Sequence, residues 1–194
     1  MTDNSREIGI NMGKIPPNAI EFEKLVVGTI LIDSNGLDKA ITFLGDDSTV
    51  FYDPRHKEIY RAILWLKSKN TPVDLMTVIQ QLKKTNELGN AGGDHYVIDL
   101  TMGVSSSAHI EYHCRLISEK FFQRKMIETC TRLISRAYRD DVDVFELLDS
   151  VSYETNKIYD VIAGQKPVQS VQDLHLEFIK NIKEGLARDR KSVV

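Results

Sequence analysis

Residues 107–138, SAHIEYHCRLISEKFFQRKMIETCTRLISRAY, decide the fold. They contain neither glycine nor proline, the two strongest helix breakers, and Ile110, Cys114, Ile117 and Phe121 recur at steps of four, three and four. That rhythm places the four side chains along one face of a helix about 48 Å long at 1.5 Å rise per residue. Asp140, Asp141 and Asp143 interrupt the pattern. Val144, Leu148, Val151, Ile158 and Ile162 then resume it at coiled-coil-like spacing until Gly164. Two long helices separated by a short turn predict an antiparallel hairpin over residues 104–164.

Upstream, residues 16–103 read as a compact helical head. Met1 to Ile15 shows no periodicity and is expected to be a flexible arm. Structure should begin at Pro16-Pro17, with the second proline in the first turn of a helix carrying Ile20, Leu25, Val26, Ile30 and Leu31. Gly28 within that helix points to close helix packing. Asp33-Ser34-Asn35-Gly36 reads as a turn, followed by a short helix from Leu37 to Leu44. Asp53-Pro54 is a helix start, an N-cap acceptor followed by proline at the first helical position, and predicts a helix from Pro54 to Lys69. Asp74 caps another helix with Val78, Ile79 and Leu82 on one face, and Gly89 to Gly93 separates it from a short helix through Tyr96, Val97 and Leu100.

Downstream, residues 165–194 read as a linker containing Pro167 and then a last helix. Ser170 and Asp173 have capping-box spacing, and Leu174, Phe178, Ile182 and Leu186 form one apolar stripe. No stretch alternates with period two over a useful length, so the expected fold is all-α.

Composition narrows the function. A hydrophobic share of 42% and a charged share of 27% suit a soluble globular chain, and no apolar run approaches the roughly 18 residues of a membrane span. A polar amino terminus lacks the apolar centre of a signal peptide, which implies a protein that stays inside the cell. The net charge of −3 argues against a dedicated nucleic-acid surface. Cys114 and Cys130 lie about 24 Å apart on one predicted helix, too far for a bridge that needs Cα atoms within about 7 Å. Both are expected to be buried thiols.

Catalytic patterns are sparse. The phosphate-binding sequence G-x-x-x-x-G-K-[ST] is missing, since Gly13-Lys14 precedes Ile15 and Gly92-Gly93 precedes Asp94. His109 and His113 stand one helical turn apart, as in a zinc-binding helix, but Glu111 is two positions after the first histidine and no third ligand follows. No metal site is therefore expected. His56, among Asp53, Arg55 and Glu58, reads as structural. Met76, Met102, Met126, Phe121, Phe122 and Tyr138 read as core.

Pro16-Pro17, Glu21 to Gly28, Phe51-Tyr52, His56, Ile59-Tyr60, Pro72-Val73-Asp74, Gly92-Gly93 and Tyr96, in this order and spacing, resemble the amino-terminal domain of DnaB-type replicative helicases. The resemblance continues through Ile110 to His113, Ile117, Glu119-Lys120 and Arg124. Phe22, where the family usually has a small residue, and Val27, where leucine is common, depart from it. The resemblance implies a head, a helical hairpin and a linker helix that docks on a neighbouring ATPase domain. It also implies assembly into a trimer of dimers on a hexameric ring, recruitment of the carboxy-terminal domain of primase and contact with a helicase loader. ATP, magnesium and most DNA contact would belong to the full-length bacterial cytoplasmic parent, whose ATPase domain would follow Val194. Ile117, Phe121, Val151 and Ile158 are then expected to pack or pair the hairpins, and Leu174, Phe178 and Ile182 to dock on the next subunit. Two rivals are the helicase-binding domain of primase, with a similar bundle and hairpin, and a small metal-dependent hydrolase built on His109 and His113.

Overall fold

A computed structural model describes residues 14–104 and 107–164. Seven α-helices and one short 3-10 turn account for its regular structure, and the described residues contain no strand. Helix α1 (Ile20–Ile32) lies at the centre and packs on α2 (Ser34–Leu44), α3 (Pro54–Ser68), α5 (Gly93–Met102) and α6 (Ile110–Ala137). Helix α4 (Leu75–Lys84) packs on α3, and α7 (Val144–Gly164) runs back along α6 as the hairpin. Val26, Val27, Ile30 and Leu31 of α1 meet Leu44, Ile59, Ile63, Val78, Val97, Ile110 and Ile117 in one buried cluster. Each such aliphatic side chain contributes about 1.5–3 kcal/mol when fully buried.

Gly28 lets α1 and α5 approach: a Cβ built there would fall 2.0 Å from the Leu100 carbonyl oxygen. The helix starts agree with the sequence at Asp53 and Asp74. Asp53 accepts from Arg55 N at 2.9 Å, and Asp74 exchanges capping-box bonds with Thr77.

Elsewhere the boundaries move. Pro17 is not in the first turn of α1, which begins three residues later with Ala19 at its N-cap. Instead the Pro17 carbonyl accepts from Arg124 of α6 at 2.8 Å, which ties the chain ahead of α1 to that helix. Nor do Ser34, Asn35 and Gly36 form a turn. Asp33 alone separates α1 from α2, because its N–H closes α1 on Thr29 while its carboxylate accepts from Asn35 N and opens α2. The helix α4 ends at Lys84, ahead of the glycines, with Asn86 in the left-handed region at φ 63°.

Residues 1–13 of the expected arm, and the linker and last helix over 165–194, lie outside the described residues.

Candidate interaction surface

The junction between head and hairpin is built around Arg124. Its guanidinium donates to the Pro17 carbonyl at 2.8 Å and the Val50 carbonyl at 2.7 Å, and it sits 5.5 Å from the Tyr52 ring centroid and 5.8 Å from that of Phe121. Burial lowers its pKa, yet arginine remains charged far above neutral pH. One turn and a half earlier, Ser118 donates to the Phe43 carbonyl at 2.8 Å. These bonds fix the angle at which α6 leaves the head.

Beneath them lies a polar network that joins three helices. Glu23 of α1 is buried and accepts from the Tyr52 and Asp53 backbone N–H groups at 2.6 and 3.1 Å. His56 Nδ1 stands 2.8 Å from Glu23 Oε2, the oxygen that also accepts from Asp53 N, and His56 Nε2 stands 2.7 Å from the Tyr96 hydroxyl. Arg55 lies 4.0 Å over the Tyr96 ring and binds Asp53 with two nitrogens. That side-chain bond to Arg55 holds the Asp53 carboxyl below its ordinary value, while burial pushes the Tyr96 phenol up to about 12. Two buried carboxylate oxygens satisfied by backbone donors and an imidazole make this a structural lock. The expected structural role for His56 therefore holds, although its partners, Glu23 and Tyr96, are distant in sequence.

Past Arg124 the hairpin leaves the head, and a cleft of about 470 Å³ opens between Leu44, Asp46 and Asp47 on one side and Phe121, Phe122 and Ile158 on the other. Arg132 spans the hairpin to Glu154 at 3.0 Å, and Arg136 donates to Ser150 Oγ at 2.8 Å. Phe121 and Ile158 are thus brought together at this cleft. Val151 is exposed nearer the tip, and Ile117 is buried in the head's own core. Leu174, Phe178 and Ile182 lie outside the described residues.

Several side chains expected in the core are at the surface. Met76, Met102, Met126 and Tyr138 are exposed, as is Cys130, while Phe121 and Phe122 are half-buried. Met102 and Tyr138 sit at helix ends, and Met126 and Cys130 lie on α6 where the head no longer covers it. Only Cys114 is a buried thiol, its pKa pushed up to about 12 by burial. On α7, Val144, Phe145, Leu148, Tyr153 and Tyr159 are all exposed. Together they leave an exposed apolar face on the hairpin.

Among the described residues the structure brings no third ligand to the two histidines of the hydrolase reading. His109 is the N-cap of α6 with φ −108° and ψ 12°, outside the helix, and His113 packs against Phe22 with ring centroids 5.3 Å apart. Burial, followed by the neighbouring His109, lowers the His113 pKa. Among the described residues no three His, Cys, Asp or Glu side chains are grouped to hold a metal. Phe22, the residue at odds with the family pattern, is accommodated by that histidine, and Val27 is buried at no visible strain.

The fold is a helical head carrying a long helical hairpin with an exposed apolar face. The chain belongs to the DnaB-like helicase N-terminal domain family, whose model matches residues 15–119. It is 41% identical over 170 residues to the replicative DNA helicase DnaB of Rhodothermus marinus, covering 88% of this chain and 18% of that protein. Against the replicative DNA helicase DnaC of Bacillus subtilis it is 32% identical over 174 residues, covering 88% and 37%. The chain therefore spans well under half the length of these relatives. The crystal structure of the N-terminal domain of DnaB helicase from Mycobacterium tuberculosis superposes with a TM-score of 0.68 at 30% identity, over 75% of this chain and 99% of that one. A DnaB-like replicative helicase, described with its interactions with primase, shares the fold with a TM-score of 0.61 at 21% identity, over 84% of this chain and 35% of that one. Membership in the helicase family sets aside the primase-domain reading.

Proposed function

We propose that this chain is the assembly and primase-recruiting module at the amino-terminal end of a hexameric replicative helicase in the bacterial cytoplasm. The observation that carries the reading is the row of exposed apolar side chains on α7, from Val144 through Tyr159, beside a cleft lined by Phe121 and Ile158. Such a surface gains free energy by burying itself against another helical protein. In this reading residues 16–103 are the head, 104–164 the hairpin, and 165–194 the linker and its helix. Phe121, Val151 and Ile158 meet a second copy, with Ile117 supporting them from the core. Leu174, Phe178 and Ile182 dock on the next subunit.

ATP and magnesium act elsewhere in the parent. This sequence lacks a phosphate-binding loop, and the described residues hold no cluster of metal ligands, so neither group fits the surface described. DNA contact is likewise assigned mainly to the remainder of the helicase, with a helicase loader as a further partner.

Light scattering on the purified chain, with and without the carboxy-terminal domain of its cognate primase, tests the reading. Dimers or hexamers that gain mass with primase are expected; a monomer indifferent to primase would overturn it.

A further inference from the structure

The second exposed aromatic feature lies on the head, away from the cleft just described. Trp65, the only tryptophan in the chain, is 41% exposed on α3. It lines two adjoining clefts between α3 and α4. One, of about 580 Å³, includes Thr71, Thr77, Gln80 and Lys84; the other, of about 260 Å³, includes Ala62 and Thr85. The ammonium of Lys84 is 6.0 Å from the Trp65 ring centroid.

Most charges around this face are already paired: Lys83 with Asp94, Arg61 with Glu58, and Lys67 with Asp38. Glu87 accepts from Asn90. Lys84 and Lys69 have no carboxylate partner among the described residues. The unpaired charges around Trp65 are thus Lys84 and, at the end of α3, Lys69, against the one carboxylate of Glu87, whose bond to the neutral Asn90 amide leaves its charge in place, so the balance is positive.

The hairpin tip has the opposite character. Residues 140–149 carry five carboxylates, Asp140, Asp141, Asp143, Glu146 and Asp149, and no cation. Among them Val144 is 59% exposed, Phe145 72% and Leu148 57%. Asp141 is bound by Arg139, and Asp143 caps α7 by accepting from Phe145 N and Glu146 N. Glu146 and Asp149 remain exposed without an ion-pair partner among the described residues. From Arg124 to Ala137 α6 advances about 20 Å beyond its anchor on the head, which presents the tip to other molecules.

We infer that the Trp65–Lys84 face of one copy receives the acidic, apolar hairpin tip of a second copy. Phe145 and Leu148 cover the indole and the methylenes of Lys84, while Glu146 and Asp149 face Lys84 and Lys69. Apolar burial supplies the affinity, and the charges select the orientation and reject a tip-to-tip or face-to-face encounter, where like charges meet. The contact is heterologous, joining two different patches, so a pair of copies can make it twice about a two-fold axis or pass it along a ring. It goes beyond the proposed function by naming both surfaces of one subunit contact, and it does not depend on primase.

A charge-swap experiment on the whole chain tests it. The double substitution Lys69→Glu with Lys84→Glu and the double substitution Glu146→Lys with Asp149→Lys all fall on exposed positions and leave the core intact. Sedimentation over a range of concentrations reads association, and the emission of Trp65 reports burial of the face. Each variant alone should associate at least about tenfold more weakly than the unaltered chain. Mixing the two variants should restore association and the blue shift of Trp65, because each altered face then meets an altered tip of opposite sign. Variants that associate as the unaltered chain does, an unaltered chain that stays monomeric, or a mixture that restores nothing would each overturn the inference. A primase domain that still binds in any of these cases leaves the recruitment reading standing.

Discussion

Gly28 and Glu23 show how much of this fold turns on single residues of α1. The Cβ position of Gly28 is occupied by the Leu100 carbonyl and lies 2.8 Å from the Val104 side chain, so no rotamer change can make room. Gly28→Ala must therefore push α5 away from α1 and is expected to destabilise the chain by about 3 kcal/mol, toward the upper end of overpacking effects. Urea denaturation checks this, and a loss below about 0.5 kcal/mol would show that the helices separate freely. The glycine was legible in the sequence because its place in an apolar helix had no turn to explain it. Glu23 was not. A glutamate in the first turn of a helix reads as a solvent-exposed charge favoured by the helix dipole, and nothing local to it announces the backbone N–H groups of Tyr52 and Asp53 that satisfy it some thirty residues later.

Between elements, the Glu23–His56–Tyr96 chain joins α1, α3 and α5, and it gives the alkaline limb of stability a definite sign. Burial raises the Tyr96 phenol to about 12, with the Arg55 guanidinium opposing that rise. A phenol whose folded pKa exceeds its unfolded value of about 10 contributes stability that is complete below pH 10 and is lost as pH climbs toward 12. Denaturant unfolding followed between pH 8 and pH 12 should show that decline. Tyr96→Phe should start less stable at pH 8, since His56 Nε2 loses its partner, and should fall less steeply thereafter. Equal slopes for the two proteins would remove Tyr96 from the account. Capping chemistry made α3 and α4 readable, because Asp53-Pro54 and Asp74 with Thr77 are local signals. The start of α1 misled for an equally physical reason. Proline suits a first helical turn, but here its carbonyl is claimed by Arg124, 107 positions away.

At the scale of the whole molecule, burial is uneven, and stability should follow it. The buried cluster draws on α1 to α5 and on α6 only as far as Ile117, whereas none of the side chains described on α7 is fully buried. Periodicity revealed both hairpin helices, since a stripe at steps of three and four is visible in the sequence whatever covers it. It does not reveal which stretches stay uncovered, and so Met126, Tyr138 and Cys130 read as core although the core ends before them. Regions with few buried contacts open at lower free energy than the global transition. In the isolated chain at low concentration, amides of α7 and of α6 beyond Arg132 should exchange with solvent well ahead of those in α1, α3 and the first half of α6. Raising the concentration, or adding a partner that covers the hairpin, should slow the hairpin amides while leaving the head amides unchanged, because only the hairpin gains buried surface. Exchange that is uniform across α1 and α7 would mean that head and hairpin unfold as one unit, with the bonds of Arg124 and Ser118 transmitting the stability of the core to the tip. The hairpin would then be a rigid arm before any partner arrives, and assembly would proceed by docking preformed surfaces without ordering them first.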